Sequence, residues 1–188
     1  MALPAIITAR RDSVRIPRKN HQVVGGYPLW LRSAMFARAC CIRAIVDSDD
    51  EQILADAAAS GYETHVRKVR PESEGGTHWD AMHWAAHDLR LDHYILLQPT
   101  SPFRSAAVLL DCLKVHEAQP ARPVLTSDDG LTWDGNIGIF HREHRAMPRM
   151  SHCQMVPNEW YYSVQIDFEQ DVEACRELAL ELPNGGLW

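Results

Sequence analysis

Ala5-Ile6-Ile7-Thr8-Ala9 runs directly into Arg10-Arg11-Asp12-Ser13-Val14-Arg15-Ile16-Pro17-Arg18-Lys19-Asn20. A short apolar run ending at a polar, basic stretch reads as a buried strand with a loop leaving its carboxyl end. Residues 10 to 19 hold five basic side chains and one acid, a local charge of +4 in a chain whose formal net charge is −6. A concentrated positive loop on an otherwise acidic protein suits a compact polyanion such as a triphosphate. On charge alone, a solvated turn is the competing reading.

Strand and helix patterns alternate outward from this loop. Pro28 is placed to open a helix carrying Leu29, Ala34, Met35 and Ala39, because its fixed φ suits the first helical turn. Residues 42–46 read as a second strand. Ser48 with Glu51 gives a capping-box pattern, and the helix that follows runs through Ile53, Leu54, Ala57 and Ala58 to a stop at Gly61. Residues 64–66 read as a short edge strand. Trp79, Met82, Ala86 and Leu89 recur at helical spacing, and His93-Tyr94-Ile95-Leu96-Leu97 is the strongest strand pattern in the chain. Pro99 and Pro102 end it, and Ser105 caps a helix with Val108, Leu109 and Leu113. Strands are expected at 123–126, 136–140 and 163–166, with a last helix over about 168–182. The stretch 141–162 is the least regular.

This alternation predicts one α/β domain over 1–188, a doubly wound, mostly parallel sheet with helices on both faces. In that class ligands bind at the carboxyl ends of the strands.

Composition narrows the function. The chain has 188 residues, 46% of them apolar and 23% charged, an ordinary globular balance. No run approaches the roughly 18 apolar residues of a membrane helix, so no membrane partner is expected. The acidic net charge argues against nucleic-acid binding. Residues 1–9 are apolar but precede their arginines, the reverse of a secretory signal. Five cysteines (Cys40, Cys41, Cys112, Cys153 and Cys175) form no CxxC pair and read as reduced thiols of a cytoplasmic protein. His83 and His87, at i, i+4, could share a metal with His78 or with His152 and Cys153. An ordinary polar helix face is the plainer reading, and the HExxH pattern is absent.

Six ordered segments resemble the acylneuraminate cytidylyltransferases, the CMP-sialic acid synthetases. They are the loop Ala9-Arg10-x-x-Ser13-x-x-Ile16-Pro17-Arg18-Lys19-Asn20, Val46-Asp47-Ser48-Asp49-Asp50, Arg70-Pro71-Glu72, Leu96-Leu97-Gln98-Pro99-Thr100-Ser101-Pro102-Phe103-Arg104, Asn136-Ile137-Gly138-Ile139-Phe140 and Ser163-Val164-Gln165-Ile166-Asp167. The resemblance implies a nucleotide-diphospho-sugar transferase-like fold. It also implies transfer of CMP from CTP, or from another nucleoside triphosphate, to a sugar acid or related hydroxylated acceptor with release of pyrophosphate. A non-catalytic nucleotide-binding module is the alternative. By the same resemblance Arg10 and Lys19 hold the triphosphate, with Ser13, Arg15, Asn20 and Arg70 as further nucleotide contacts. Gln98, Thr100, Ser101, Arg104 and Asn136 face the acceptor, and Asp167 is a ligand for Mg²⁺.

Several positions depart from the family pattern. Arg11, Asp12 and Val14 stand where the family has small residues and a lysine. Gln165 replaces the first acid of an Asp-x-Asp pair. Asp167 itself has a structural alternative, a capping box with Gln170. Only nine residues, 127–135, stand where the family inserts its dimerisation excursion, so a monomer, or a dimer through another surface such as 147–162, is expected.

Overall fold

The fold is described from a computed structural model, which describes residues 3–68, 78–144 and 148–187. Among the described residues nine strands and five α-helices follow in the order β1 (Ala5–Ala9), β2 (Val23–Val24), β3 (Tyr27–Pro28), α1 (Leu29–Ala39), β4 (Ala44–Ser48), α2 (Glu51–Ala59), β5 (Glu63–Val66), α3 (His78–Asp88), β6 (His93–Leu97), α4 (Ala106–Ala118), β7 (Val124–Ser127), β8 (Ile137–His141), β9 (Gln154–Pro157) and α5 (Glu169–Glu181). Seven strands form one sheet in the order β5-β4-β1-β6-β8-β7-β9. β1 pairs in parallel with both β4 and β6, and β8 runs antiparallel to β6 and β7.

Alternation along β1 sorts the core. Ala5, Ile7 and Ala9 face a cluster containing Trp30, Phe36, Ile53, Ala57 and Leu109 of α1, α2 and α4. Ile6 faces the opposite layer, with Met82, Ala85 and Ala86 of α3. Successive side chains of a strand point to opposite faces, so a strand buried on both sides reads as an unbroken apolar run. A third cluster joins Ile16, Val24, Leu29 and Phe103 to Ile166 and to Val172, Cys175 and Ala179 of α5. β2 and β3 form a hairpin whose two turn residues, Gly25 and Gly26, both have positive φ, 55° and 85°; the tight turn that matches strand twist needs this conformation at both positions. Arg32 is fully buried beneath it and donates to the carbonyls of Val24, Pro102, Gly185 and Gly186. Burial lowers its pKa to about 10.

The sheet order reverses direction at β1. β4 and β5 extend to one side of it and β6 to the other. That switch point opens a crevice at the carboxyl ends of β1 and β6, where the loop after Ala9 and the turn after Leu97 begin.

The elements differ from the sequence expectations in several places. Residues 163–166 do not join the sheet. They run extended beside the β6 loop, with the Ile166 amide donating to the Thr100 carbonyl at 2.9 Å. The edge strand is instead β9, inside the stretch read as irregular, parallel to β7. Gln-Met-Val-Pro carries no clean alternation, so nothing in its pattern marked it. The cap of α2 is Asp50 rather than Ser48: its carboxylate accepts from the amides of Gln52 and Ile53 at 2.9 and 3.3 Å.

Candidate active site

The loop after β1 is held from inside. Asn20 is buried, and its side-chain amide donates to the Arg10 carbonyl at 2.8 Å. Lys19 and Asn20 lie in a single 3-10 turn, Lys19–His21, entered through Arg18 in the left-handed region. The Ser13 hydroxyl receives a long bond from the Ile16 amide, 3.4 Å, and closes a local turn. Arg10 and Arg15 stay exposed.

Three charges meet where this loop touches the segment before α5. The Lys19 ammonium donates to the Ile166 carbonyl at 2.8 Å and stands 3.7 Å from Asp167. Arg15 reaches the same Asp167 oxygen at 2.7 Å. Burial lowers the pKa of Lys19, with further push from Arg15 and Arg10, while Asp167 opposes the shift. An almost buried ammonium and an arginine sharing one carboxylate leave net positive charge, the setting in which a phosphate makes charge-assisted bonds.

Asp167 does not cap α5. Asp171 does that work, its Oδ2 accepting from the amides of Asp167 and Phe168 at 2.8 and 2.7 Å. The Asp167 carboxylate is therefore left to Arg15 and Lys19. The Gln165 amide donates to the Asp134 carbonyl, so that side chain is committed away from Asp167.

The turn after β6 divides into an open part and a buried part. Gln98 and Thr100 are half-buried, with Thr100 Oγ1 donating weakly to Gln98 Oε1 at 3.4 Å. The expectation that Ser101, Arg104 and Asn136 face an acceptor is corrected: all three are buried in hydrogen bonds that hold the turn. Ser101 donates to the Gly135 carbonyl at 3.1 Å. The Arg104 guanidinium donates to the Gln98 carbonyl at 2.5 Å, to Ser33 Oγ at 3.0 Å and to the Asn136 carbonyl at 3.4 Å. Burial, helped by repulsion from Arg32, lowers its pKa to about 9. The Asn136 amide donates to the carbonyls of Phe103 and Tyr162. Arg70 lies outside the described residues.

The donor set suits Mg²⁺ only in a limited way. Asp47 is fully buried and receives His65 Nδ1 at 2.8 Å and Arg67 Nε at 2.9 Å, so its lone pairs are used. Asp49 accepts the Arg11 amide at 2.7 Å. Among the described residues no group of three or more His, Cys, Asp or Glu is arranged to hold a metal. Asp167 is the carboxylate that stands beside the loop's cations, Arg15 and Lys19. Mg²⁺ commonly takes one or two protein carboxylates and completes its shell with phosphate oxygens and water, and this single acid fits that pattern. Among the described residues the His83–His87 pair gains no third ligand: His83 Nδ1 bonds the Arg142 carbonyl at 2.9 Å, the His87 side chain is 63% exposed, and the His78 side chain lies outside the described residues.

Sequence reasoning missed three residues that shape the site. His21 and Asp50 are joined at 2.9 Å. Asp134 accepts from Thr126 Oγ1 at 2.5 Å, Asn158 Nδ2 at 2.8 Å and Ser163 Oγ at 3.1 Å. The turn before Asp134 is closed on itself, with Asp129 accepting from the amides of Leu131 and Thr132 and from Ser127 Oγ. Hydrogen bonds between distant segments leave no mark in periodicity.

Sheet order and loop charge define a doubly wound α/β protein with a basic loop at its switch point. The cytidylyltransferase family model matches residues 4–158, and the chain belongs to that family. It is 32% identical over 127 residues to the CMP-N,N'-diacetyllegionaminic acid synthase of Legionella pneumophila subsp. pneumophila (strain Philadelphia 1), a match covering 62% of this chain and 54% of that protein. The chain thus spans about half the length of that curated relative. Among solved structures, CMP:2-keto-3-deoxy-manno-octonic acid synthetase complexed with CTP superposes with a TM-score of 0.75 at 15% identity, covering 97% of this chain and 100% of that one. A cytidylyltransferase from Leptospira borgpetersenii serovar Hardjo-bovis (strain JB197) superposes with a TM-score of 0.74 at 15% identity, covering 99% and 90%. At such identity these two likenesses speak to the fold.

Proposed function

We propose that this protein is a cytidylyltransferase that transfers CMP from CTP to a hydroxyl of a sugar acid. The observation that carries the reading is the meeting of Arg15 and Lys19 with Asp167 at the switch point, on the loop that also carries the exposed Arg10, in a chain of the cytidylyltransferase family. The acceptor oxygen attacks the α-phosphorus and forms the new O–P bond. The bond from that phosphorus to the bridging oxygen breaks, pyrophosphate leaves, and the hydroxyl proton passes to solvent. Negative charge grows on the bridging and leaving oxygens, where fixed cations are most effective. Arg10, Arg15 and Lys19 supply those cations, and Gln98 and Thr100 line the acceptor side. Mg²⁺, carried on the triphosphate with Asp167 as its protein carboxylate, would further neutralise the phosphates.

The acidic-sugar acceptor is supported by the likeness to the CMP-N,N'-diacetyllegionaminic acid synthase of Legionella pneumophila. A cytoplasmic setting belongs to the same proposal, consistent with five free cysteines. So does a monomer, or a dimer through a surface other than the closed 127–135 turn. The test is pyrophosphate release with each of four nucleoside triphosphates, Mg²⁺ and a panel of acidic sugars. Release with CTP and one acidic sugar supports the reading. CTP binding with no release from any acceptor would leave a nucleotide-binding module, and no binding of any triphosphate would refute the site.

A further inference from the structure

Both ends of the triphosphate loop are tied to one short turn, Ser48-Asp49-Asp50, at the junction of β4 and α2. At the first end, Ser48 Oγ donates to the Ala9 carbonyl at 2.5 Å and accepts the Asp50 amide at 3.0 Å. Two residues on, the Arg11 amide donates to Asp49 Oδ1 at 2.7 Å. At the far end, His21 Nε2 lies 2.9 Å from Asp50 Oδ2, with the two side chains only 18% and 10% exposed. Asn20 links the two ends through its bond to the Arg10 carbonyl. The Asp50 carboxylate is split, Oδ1 on the amides that start α2 and Oδ2 on the loop.

We infer that Ser48-Asp49-Asp50 and His21 form a clamp that positions the triphosphate loop, with the His21–Asp50 contact fixing the turn that carries Lys19. The inference rests on the proposed nucleotide site for its purpose but not for its geometry. Its physical logic has two parts. The carbonyls of Ala9 and Arg10 point at the root of a site meant for anions, and the Ser48 hydroxyl and Asn20 amide turn them to internal donors. The Arg11 amide is spent on Asp49, so anion recognition falls to side chains whose spacing the clamp must set. A site whose cations are already in place spends less binding energy on ordering them. His21 touches neither a phosphate nor an acceptor here; it is a positioning residue acting through Lys19.

The decisive experiment compares the parent, His21→Leu and His21→Gln. The leucine removes the donor to Asp50, while the glutamine offers an amide donor in its place. Asp50 stays intact, so the cap of α2 is preserved. Amide hydrogen exchange over 10–21 is measured on the free protein, and CTP affinity by calorimetry. His21→Leu is expected to speed exchange in that loop about tenfold and to weaken CTP about fivefold, with exchange in β1 and β6 unchanged. His21→Gln is expected to recover most of both effects. Unchanged loop exchange in His21→Leu would overturn the clamp whatever the nucleotide result, as would faster exchange throughout β1 and β6, which would mean general loosening. A parent that binds no triphosphate would refute the proposed site, and loop exchange would still decide the clamp. Faster loop exchange with unaltered CTP affinity would overturn the positioning role.

Discussion

The Lys19 ammonium donates to the Ile166 carbonyl at 2.8 Å across 147 residues of sequence. That bond ties the loop of the first strand to the segment leading into the last helix, and it sets an almost buried ammonium at the mouth of the switch-point crevice. The same carbonyl stands one residue before Asp167, so a single side chain fixes the separation between the loop's cations and the site's carboxylate.

Lys19→Ala is therefore expected to cost nucleotide binding and some stability together. A charge-assisted hydrogen bond contributes roughly 1.5–3 kcal/mol, which corresponds to a tenfold or greater loss of CTP affinity by calorimetry. Lys19→Arg keeps the charge but not the compact reach to Ile166, and is expected to fall between parent and alanine. Equal affinity in all three proteins would remove Lys19 from the site.

Arg104→Met separates a support from a substrate contact. The guanidinium serves the Gln98 and Asn136 carbonyls and Ser33 Oγ with no exposed surface. Methionine fills much of the volume but leaves those acceptors unpaired, at about 1–3 kcal/mol for each buried group. Urea unfolding should show a stability loss of about 3 kcal/mol or more, while CTP affinity of the folded protein changes less than it does in Lys19→Ala. A stable variant with lost acceptor binding would restore Arg104 to the acceptor face.

The sheet was legible from residues because β1, β6 and β8 are buried on both sides, and two-sided burial writes itself as continuous apolar runs. β4 starts at Ala44 rather than Ile42 because the Ile42 amide is still held by the Ala37 carbonyl at the end of α1, a contact no local pattern encodes. β9 was hidden because an edge strand needs little hydrophobic alternation. At the site, charge density singled out the 10–19 loop, and the family resemblance named Arg10, Arg15 and Lys19 within it. It could not show that Arg104 is buried, since a polar motif reads the same whether its groups face a ligand or one another. Nor could it show His21 and Asp50, 29 residues apart, as a pair.

Gln165→Asp is expected to weaken the protein without creating a better metal site. The Gln165 amide donates to the Asp134 carbonyl, and an ideal Cβ on Gly135 would fall 1.5 Å from its nitrogen. Aspartate loses that donor and is too short to reach the same place, so a loss of about 1–3 kcal/mol follows. The Mg²⁺ concentration giving half-maximal pyrophosphate release should not fall. Gly135→Ala, at φ 75°, should cost a similar amount, and adding Gln165→Ala should relieve the clash while the backbone strain remains. A Gln165→Asp variant that saturates at lower Mg²⁺ would show that position 165 can still join the metal.

At the opposite end of the sheet, four histidines gather from β6, α4 and the end of β8, and three of them, His93, His116 and His144, set a pH dependence of stability. The His93 and His116 rings lie 5.0 Å apart, His93 and His141 4.8 Å, and His141 and His144 6.2 Å. Nδ1 of both His93 and His116 is buried without a hydrogen-bond partner. Burial lowers the pKa of His93, His116 and His144, and neighbouring imidazoles add repulsion. Asp92 opposes the shift at His93, Glu117 at His116 and the His141 backbone at His144. Arg142, beside Asp92 at 3.2 Å, draws on the same acid. The unfolded chain therefore binds more protons than the folded one as pH falls past about 6.5, the ordinary histidine pKa, and stability present above that value is lost on acidification. His65 works in the other direction: the bond to Asp47 raises its pKa, so its contribution is full below 6.5 and fades as pH rises through the folded value. The mutant difference isolates the cluster. Urea unfolding between pH 7.5 and 5.0 should show the midpoint of the parent falling with acid more steeply than that of a His93→Phe, His116→Leu double variant, in which His65 is unchanged. Parallel midpoints across that range would mean that the cluster takes up its protons without cost to the fold.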